Sequence, residues 1–129
     1  VVVFALAELY GQDPRTEERN VAGEVCVSRQ GKCLLAAQHV HGGKPERMVM
    51  FLAYEHASEG GKTRHSFLWT GHLHHLKAAD IGGVQLMQLR AMTAKDAYAA
   101  GNAYSARASL EPITVDANQG ELQRVRVPA

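Results

Sequence analysis

The sequence has little of what marks several large classes of protein. It has only two cysteines in 129 residues, far too few for a disulfide framework. Its longest apolar run, VVVFALA at positions 1–7, is much shorter than the roughly 20 residues of a membrane-spanning helix. The run also lacks a basic flank and a small-residue cleavage site, so we do not expect an intact signal peptide. With both thiols expected to be free, these features predict a cytoplasmic protein.

The charges are almost balanced. The chain has 14 basic and 13 acidic residues, which gives a formal net charge of +1. A protein that neutralises many phosphates usually carries a basic excess or a basic stripe. A nucleic-acid role would therefore need local clustering of basic side chains. The sequence also contains no P-loop, no dinucleotide fingerprint and no CxxC pair.

The length and composition predict a single domain over residues 1–129. Hydrophobic residues make up 46% of the chain and charged residues 21%, which is ordinary for a globular protein. A chain of this size buries a real core but is too short for two domains.

Apolar runs separated by turn residues predict a sheet. Residues 21–29 and 32–41 are expected to form a hairpin around Gln30–Gly31. Residues 48–56 (MVMFLAYEH) are interpreted as the next strand, and residues 63–70 as a strand that pairs back with it, because GGKPE and SEGGK supply the turns. Further strands are predicted at 1–9, 84–92, 113–115 and 122–127.

One strong helix is predicted at residues 93–110. Thr93 and Asp96 have the spacing of a capping box, alanine is abundant in the segment, and Pro112 prevents continuation. The predicted fold class is therefore α+β, with a mostly antiparallel sheet, built as a hairpin meander, packed against this one main helix.

Five histidines are predicted to gather at one end of the sheet. Hairpin-connected strands alternate in direction, so strands 32–41 and 63–70 should both end on the same side. This predicts a histidine-rich pole formed by His39, His41, His72, His74 and His75.

A divalent-metal site is one interpretation of this pole. His39 and His41 share one face of a strand through the two-residue period, which is a common start of a metal site. The candidate ligands are His39, His41, Glu46 and His72. The eight residues from His39 to Glu46 resemble part of the first cupin motif, although the glycine that should follow Glu46 and the second motif are absent.

Acid–base catalysis is another interpretation of the same residues. An imidazole titrates near neutral pH and needs only a partner to orient it. The candidates for a small histidine-dependent enzyme are His39, His41, His72 and His74.

Single-stranded nucleic-acid binding is a further alternative. The opposite end of the predicted sheet collects basic side chains at hairpin tips, and an aromatic ring could stack on a base. The candidate binding residues are Arg29, Lys32, Lys62, Arg64 and Trp69.

The lead prediction is a non-catalytic binding or assembly module that associates with copies of itself. The short strand at 122–127 comes late in the chain and leaves an exposed edge, which favours a homo-oligomer. The histidine-dependent enzyme is the first alternative and the nucleic-acid module the second. The residue pattern does not decide whether the protein is an enzyme.

Overall fold

The main element of the fold is a mixed sheet of five strands. The computed structural model describes residues 8–15, 25–39, 44–71, 75–92 and 107–128. The strands are β1 (Val25–Gln30), β2 (Cys33–His39), β3 (His65–Gly71), β4 (Lys77–Ile81) and β5 (Val84–Gln88). Two helices, α1 (Pro45–Glu55) and α2 (Ala57–Gly60), connect β2 to β3.

The strand order is β1-β2-β3-β5-β4, and the three central strands run parallel. Only the outer strands β1 and β4 pair antiparallel with their neighbours. The predicted fold class, a mostly antiparallel meander on one main helix, is therefore wrong. A helical crossover returns the chain between β2 and β3, so these strands become parallel neighbours.

The strand predicted at residues 48–56 is wrong, because this segment is helix α1. Val49 and Leu52 are 4% and 2% exposed, whereas Met50 is 73% exposed, which is the spacing of a helix. Pro45 stands in the first turn together with Glu46, and both residue types favour a helix start.

The helix predicted at 93–110 finds no support at its described end. Residues 93–106 lie outside the described residues, and Ser109–Leu110 forms a short strand, β6. No single main long helix occurs in the described part of the chain. At the start of the sequence, residues 1–7 are likewise outside the described ranges, and Glu8, Leu9 and Tyr10 are helical rather than extended.

The first hairpin is confirmed, with its turn one residue later than predicted. Gln30 pairs with Cys33, so the turn residues are Gly31 and Lys32. Gly31 has a φ of 57°, a conformation that glycine adopts more easily than other residues. In this register Cys26 pairs with Ala37, about 13 Å along β2 from Cys33, and both thiols are free.

Two small antiparallel sheets complete the described chain. They consist of β7 (Ile113–Asp116) with β8 (Gly120–Arg124), and of β6 with β9 (Val127–Pro128). The strand predicted at 113–115 is confirmed, while the one predicted at 122–127 is divided between β8 and β9.

The core lies between α1 and one face of the sheet. Leu68 and Leu86 are fully buried on neighbouring parallel strands and pack with the inward side chains of α1. Burial of each such leucine contributes about 2 kcal/mol to folding. Within the described residues, no helix is long and apolar enough to cross a membrane.

Candidate functional site

The central strands end together at one side of the sheet, which we call the carboxyl edge. Its position is defined by the last residues of β2, β3 and β5, which are His39, Gly71 and Gln88. His39 is directly opposite Gly71 in the register, and Lys77 of the antiparallel strand β4 pairs with Gln88. Four strands therefore meet at this edge, and His39, Gln88 and Lys77 supply side chains there.

A row of polar side chains crosses the sheet just inside the carboxyl edge. Gln38, Thr70 and Gln88 are register neighbours on β2, β3 and β5. Thr70 and Gln88 are each 1% exposed. The side-chain amide of Gln88 donates a hydrogen bond to the carbonyl oxygen of His75 at 2.8 Å. The Thr70 hydroxyl and the Gln38 Oε1 have no hydrogen-bond partner within the described residues.

An ion pair joins the start of α1 to the same edge. The Nζ of Lys77 lies 2.5 Å from Oε1 of Glu46, with the two side chains 46% and 37% exposed. The Lys77 ammonium is the main cause that lowers the pKa of Glu46, and backbone hydrogen bonding at the helix start acts in the same direction. Glu46, one of the predicted metal ligands, is therefore a charged carboxylate already held by a lysine.

Of the predicted histidine pole, the structure describes His39 and His75. His39 is exposed at the end of β2, and His75 is exposed beside the end of β5, where its carbonyl accepts the Gln88 bond. His41, His72 and His74 lie outside the described residues. Among the described side chains, no group of three His, Cys, Asp or Glu residues could hold a metal ion.

The predicted basic residues lie at the opposite side of the sheet, which we call the amino edge. The backbone N–H of Arg64 donates to the carbonyl of Lys32 at 2.8 Å, so these two positions are adjacent. Glu59 sits between the other two cations, with Oε2 2.7 Å from Nε of Arg29 and Oε1 3.3 Å from Nζ of Lys62. These two hydrogen bonds, the Arg29 bond first, lower the pKa of Glu59.

Trp69 does not join the basic residues. Its ring stacks on Phe67 with centroids 6.0 Å apart and an interplanar angle of 19°. It lies four residues beyond His65 on β3, or about 13 Å from the amino edge. The predicted combination of a stacking tryptophan with the basic hairpin tips is therefore not brought together, and Glu59 offsets two of the four charges.

The β7–β8 hairpin closes the amino edge. The carbonyl of Ala117 accepts a hydrogen bond from the backbone N–H of Lys32 at 2.6 Å, and Cys33 Sγ donates to the carbonyl of Asp116 at 3.2 Å. On β3, His65 Nε2 is 3.2 Å from the Asn118 carbonyl oxygen. Burial is the main cause that raises the pKa of the Cys33 thiol. This cysteine is thus a packing residue and not a reactive thiolate.

A buried carboxylate away from both edges connects the C-terminal strands to the segment that follows β5. The Glu111 side chain is 2% exposed, and its Oε1 lies 3.4 Å from Nε of Arg126 and 3.9 Å from an Nη of Arg90. Ser109 Oγ donates to the same oxygen at 3.3 Å. The cluster holds distant segments together, because Arg90 and Arg126 both contact the Glu111 carboxylate.

The polar row is the feature that sequence reasoning missed. Gln38, Thr70 and Gln88 are ordinary strand residues in isolation, and only the parallel register brings them side by side. A usable signal was present in the strand ends, since each of the three strands changes from apolar to polar near its last residue.

The fold resembles solved structures of Vps29 from Entamoeba histolytica. One is a single mutant and the other is the wild-type protein complexed with zinc, and each superposes with a TM-score of 0.51 at 17% sequence identity. The likeness covers 88% of this chain but only 64% and 66% of those two chains. At this identity the likeness shows the fold alone. No family model and no curated protein matches the sequence.

Proposed function

We propose that the carboxyl edge binds a divalent metal ion and that the chain is a metal-dependent enzyme domain acting on phosphoesters. The observation that carries the proposal is the parallel register of β2 on β3, in which His39 is opposite Gly71. In open sheets of parallel strands, ligands bind outside the carboxyl ends of the strands. In the sequence, His41 follows β2, and His72, His74 and His75 follow β3.

The proposed ligands are imidazoles, which zinc accepts readily. His39 ends β2, and in the sequence His41 comes two residues later while His72 directly follows Gly71. The proposal therefore depends on segments 40–43 and 72–74 as well as on the described edge. Glu46 is the weakest of the predicted ligands, because a metal would have to displace Lys77 from its carboxylate.

The choice of reaction rests on analogy at the level of the fold. The similar Vps29 structure was solved with zinc, and metal-dependent phosphoesterases are the enzymes that this likeness suggests. A fold hosts many activities, so this analogy selects the first substrates to assay. A bound metal would polarise a phosphoryl oxygen and lower the pKa of its water.

Metal content and activity of three proteins test the proposal. The wild-type chain should carry or take up zinc stoichiometrically, by plasma mass spectrometry and calorimetric titration. The double variant His39→Ala/His41→Ala should lose the metal. His56→Ala is the matched control, since His56 follows the far end of α1 and packs on Phe51. Hydrolysis of a nitrophenyl phosphodiester should follow the metal and stop with a chelator.

Two outcomes would count against the proposal. If the wild-type protein neither contains nor binds zinc or manganese, the proposed metal site does not exist. If the protein binds metal through His39 and His41 but hydrolyses no phosphoester, the metal site stands and the proposed enzymatic activity is contradicted.

A non-catalytic assembly module is the second candidate, and one observation favours it. The outward surface of α1 carries Met50 and Tyr54 at 73% and 84% exposure, which is unusual for a helix that faces solvent.

A further inference from the structure

Helix α1 is apolar on both of its faces. Its inner side buries Val49 and Leu52 against the sheet. With 100° between successive residues, Met50, Phe51 and Tyr54 fall on the opposite side, where they are 73%, 39% and 84% exposed. A surface helix normally presents polar side chains there, so this outward face has the composition of an interface.

The charged residues on this face are placed opposite to what the helix dipole favours. Arg47, Phe51 and Glu55 follow one another at four-residue intervals and therefore lie on one row of the helix surface. Arg47 stands in the first turn and Glu55 at the last position, and both are exposed. Each charge has the sign that the helix dipole disfavours at its end. The arrangement therefore brings no benefit to the isolated helix.

The same row is complementary to itself. Phe51 is its midpoint, with Arg47 and Glu55 each about 6 Å away along the axis. When two copies of α1 meet antiparallel about a twofold axis at Phe51, Arg47 of each copy lies opposite Glu55 of the other. Met50 and Tyr54 then cover the partner's apolar surface. An interface of this kind uses one patch on both copies, as closed dimers do.

We infer that α1 forms the interface of a homodimer, in which its outward face packs against α1 of a second copy of the chain. This inference is independent of the proposed metal site, since the outward face of α1 points away from the sheet that carries the carboxyl edge. The helix has eleven residues and spans about 16 Å. The contact is thus at the small end of specific interfaces, and we expect association to depend on concentration over the micromolar to millimolar range.

A matched pair of methionine variants tests the position of the interface. Met50→Glu places a charge in the proposed contact, while Met92→Glu makes the same change at a methionine that is 60% exposed elsewhere. In sedimentation equilibrium, wild type and Met92→Glu should dimerise alike, and Met50→Glu should remain monomeric. Urea unfolding of all three proteins checks that the fold is kept. A dimer unchanged in Met50→Glu, or a wild type that stays monomeric at millimolar concentration, would overturn the inference.

Charge reversal tests the antiparallel geometry. Arg47→Glu and Glu55→Arg each place like charges opposite one another at both ends of the contact, and each should weaken the dimer about ten-fold. The double variant Arg47→Glu/Glu55→Arg restores opposite charges across the twofold axis and should recover the wild-type dissociation constant. Neither single change harms the helix dipole, so a loss of folding does not explain a weaker dimer. A double variant as weak as the single variants would contradict the antiparallel pairing.

Discussion

Thr70 and Gln88 lie side by side on parallel strands and are equally buried, but their side chains differ in hydrogen bonding. Gln88 donates to the His75 carbonyl, whereas the Thr70 hydroxyl has no partner within the described residues. An unpartnered buried hydroxyl costs about 1–3 kcal/mol. Within the described residues, the Thr70 hydroxyl is therefore a buried polar group that lowers stability.

Replacing this hydroxyl should stabilise the protein. We expect Thr70→Val to raise the free energy of unfolding by about 1 kcal/mol, because the substitution removes a buried polar atom and keeps the shape. Thr63→Val is the control, since the Thr63 hydroxyl donates to the Gly60 carbonyl at 2.8 Å. That variant should lose about 1 kcal/mol. Urea unfolding measures both, and a destabilised Thr70→Val would mean that the hydroxyl is bonded in solution.

The turn between β1 and β2 should not tolerate a side chain at Gly31. Its φ is 57°, and a Cβ there would stand 2.7 Å from the carbonyl oxygen of Ala117. Gly31→Ala is expected to destabilise the fold by about 2 kcal/mol. At Gly60 a Cβ meets nothing within 4 Å, so Gly60→Ala should be neutral or stabilising. Equal thermal unfolding midpoints for the two variants would contradict the close approach of the β7–β8 hairpin.

Asp116 should make part of the stability depend on pH. The backbone N–H groups of Asn118 and Gln119 donate to its Oδ1 at 2.8 and 2.9 Å and lower its pKa. The folded pKa lies below the unfolded one, so this stabilisation is complete at neutral pH. It is lost as the pH falls below about 4, the ordinary aspartate value, toward the folded pKa. On acidification, Asp116→Asn should therefore lose less unfolding free energy than wild type in urea titrations. Parallel losses in the two proteins would show that the carboxylate contributes nothing.

The first antiparallel hairpin was predictable from the sequence, and the parallel pairs were not. The turn at Gly31 was sufficient to place β1 beside β2. No strand was predicted at residues 77–81, which form β4 before the turn at Gly82–Gly83. The pairing of β2 with β3 joins segments separated by the whole α1–α2 crossover. No local residue type encodes that contact, because it depends on which face of α1 is buried.

The identity of α1 was hidden by the same side chains that suggest its interface. Val49 and Leu52 alone give a clear helical period, but exposed Met50, Phe51 and Tyr54 fill the gaps and make the segment uniformly apolar. A short continuous apolar run does not distinguish a strand from a helix by periodicity. Pro45 is the residue that could have indicated a helix, since proline favours the first turn of a helix.

The position of one candidate residue was predictable from the sequence. The sequence placed His39 at a strand end, and the structure puts it opposite Gly71. The polar ends of the three strands were visible in the sequence, but the alignment of Gln38, Thr70 and Gln88 in one row was not, because it exists only in the parallel register. The charge of the basic end was overestimated, since Glu59 comes from a segment interpreted as a plain turn and binds both Arg29 and Lys62.

The closure of the amino edge by β7–β8 has a consequence for synthesis on the ribosome. Cys33 is bonded to Asp116, which lies 83 positions later in the chain. At about 5–20 residues per second, the nascent polypeptide would wait roughly 4–17 s between the emergence of the two residues. During that interval the amino edge of β2 lacks the β7–β8 hairpin that covers Lys32 and Cys33 in the folded protein.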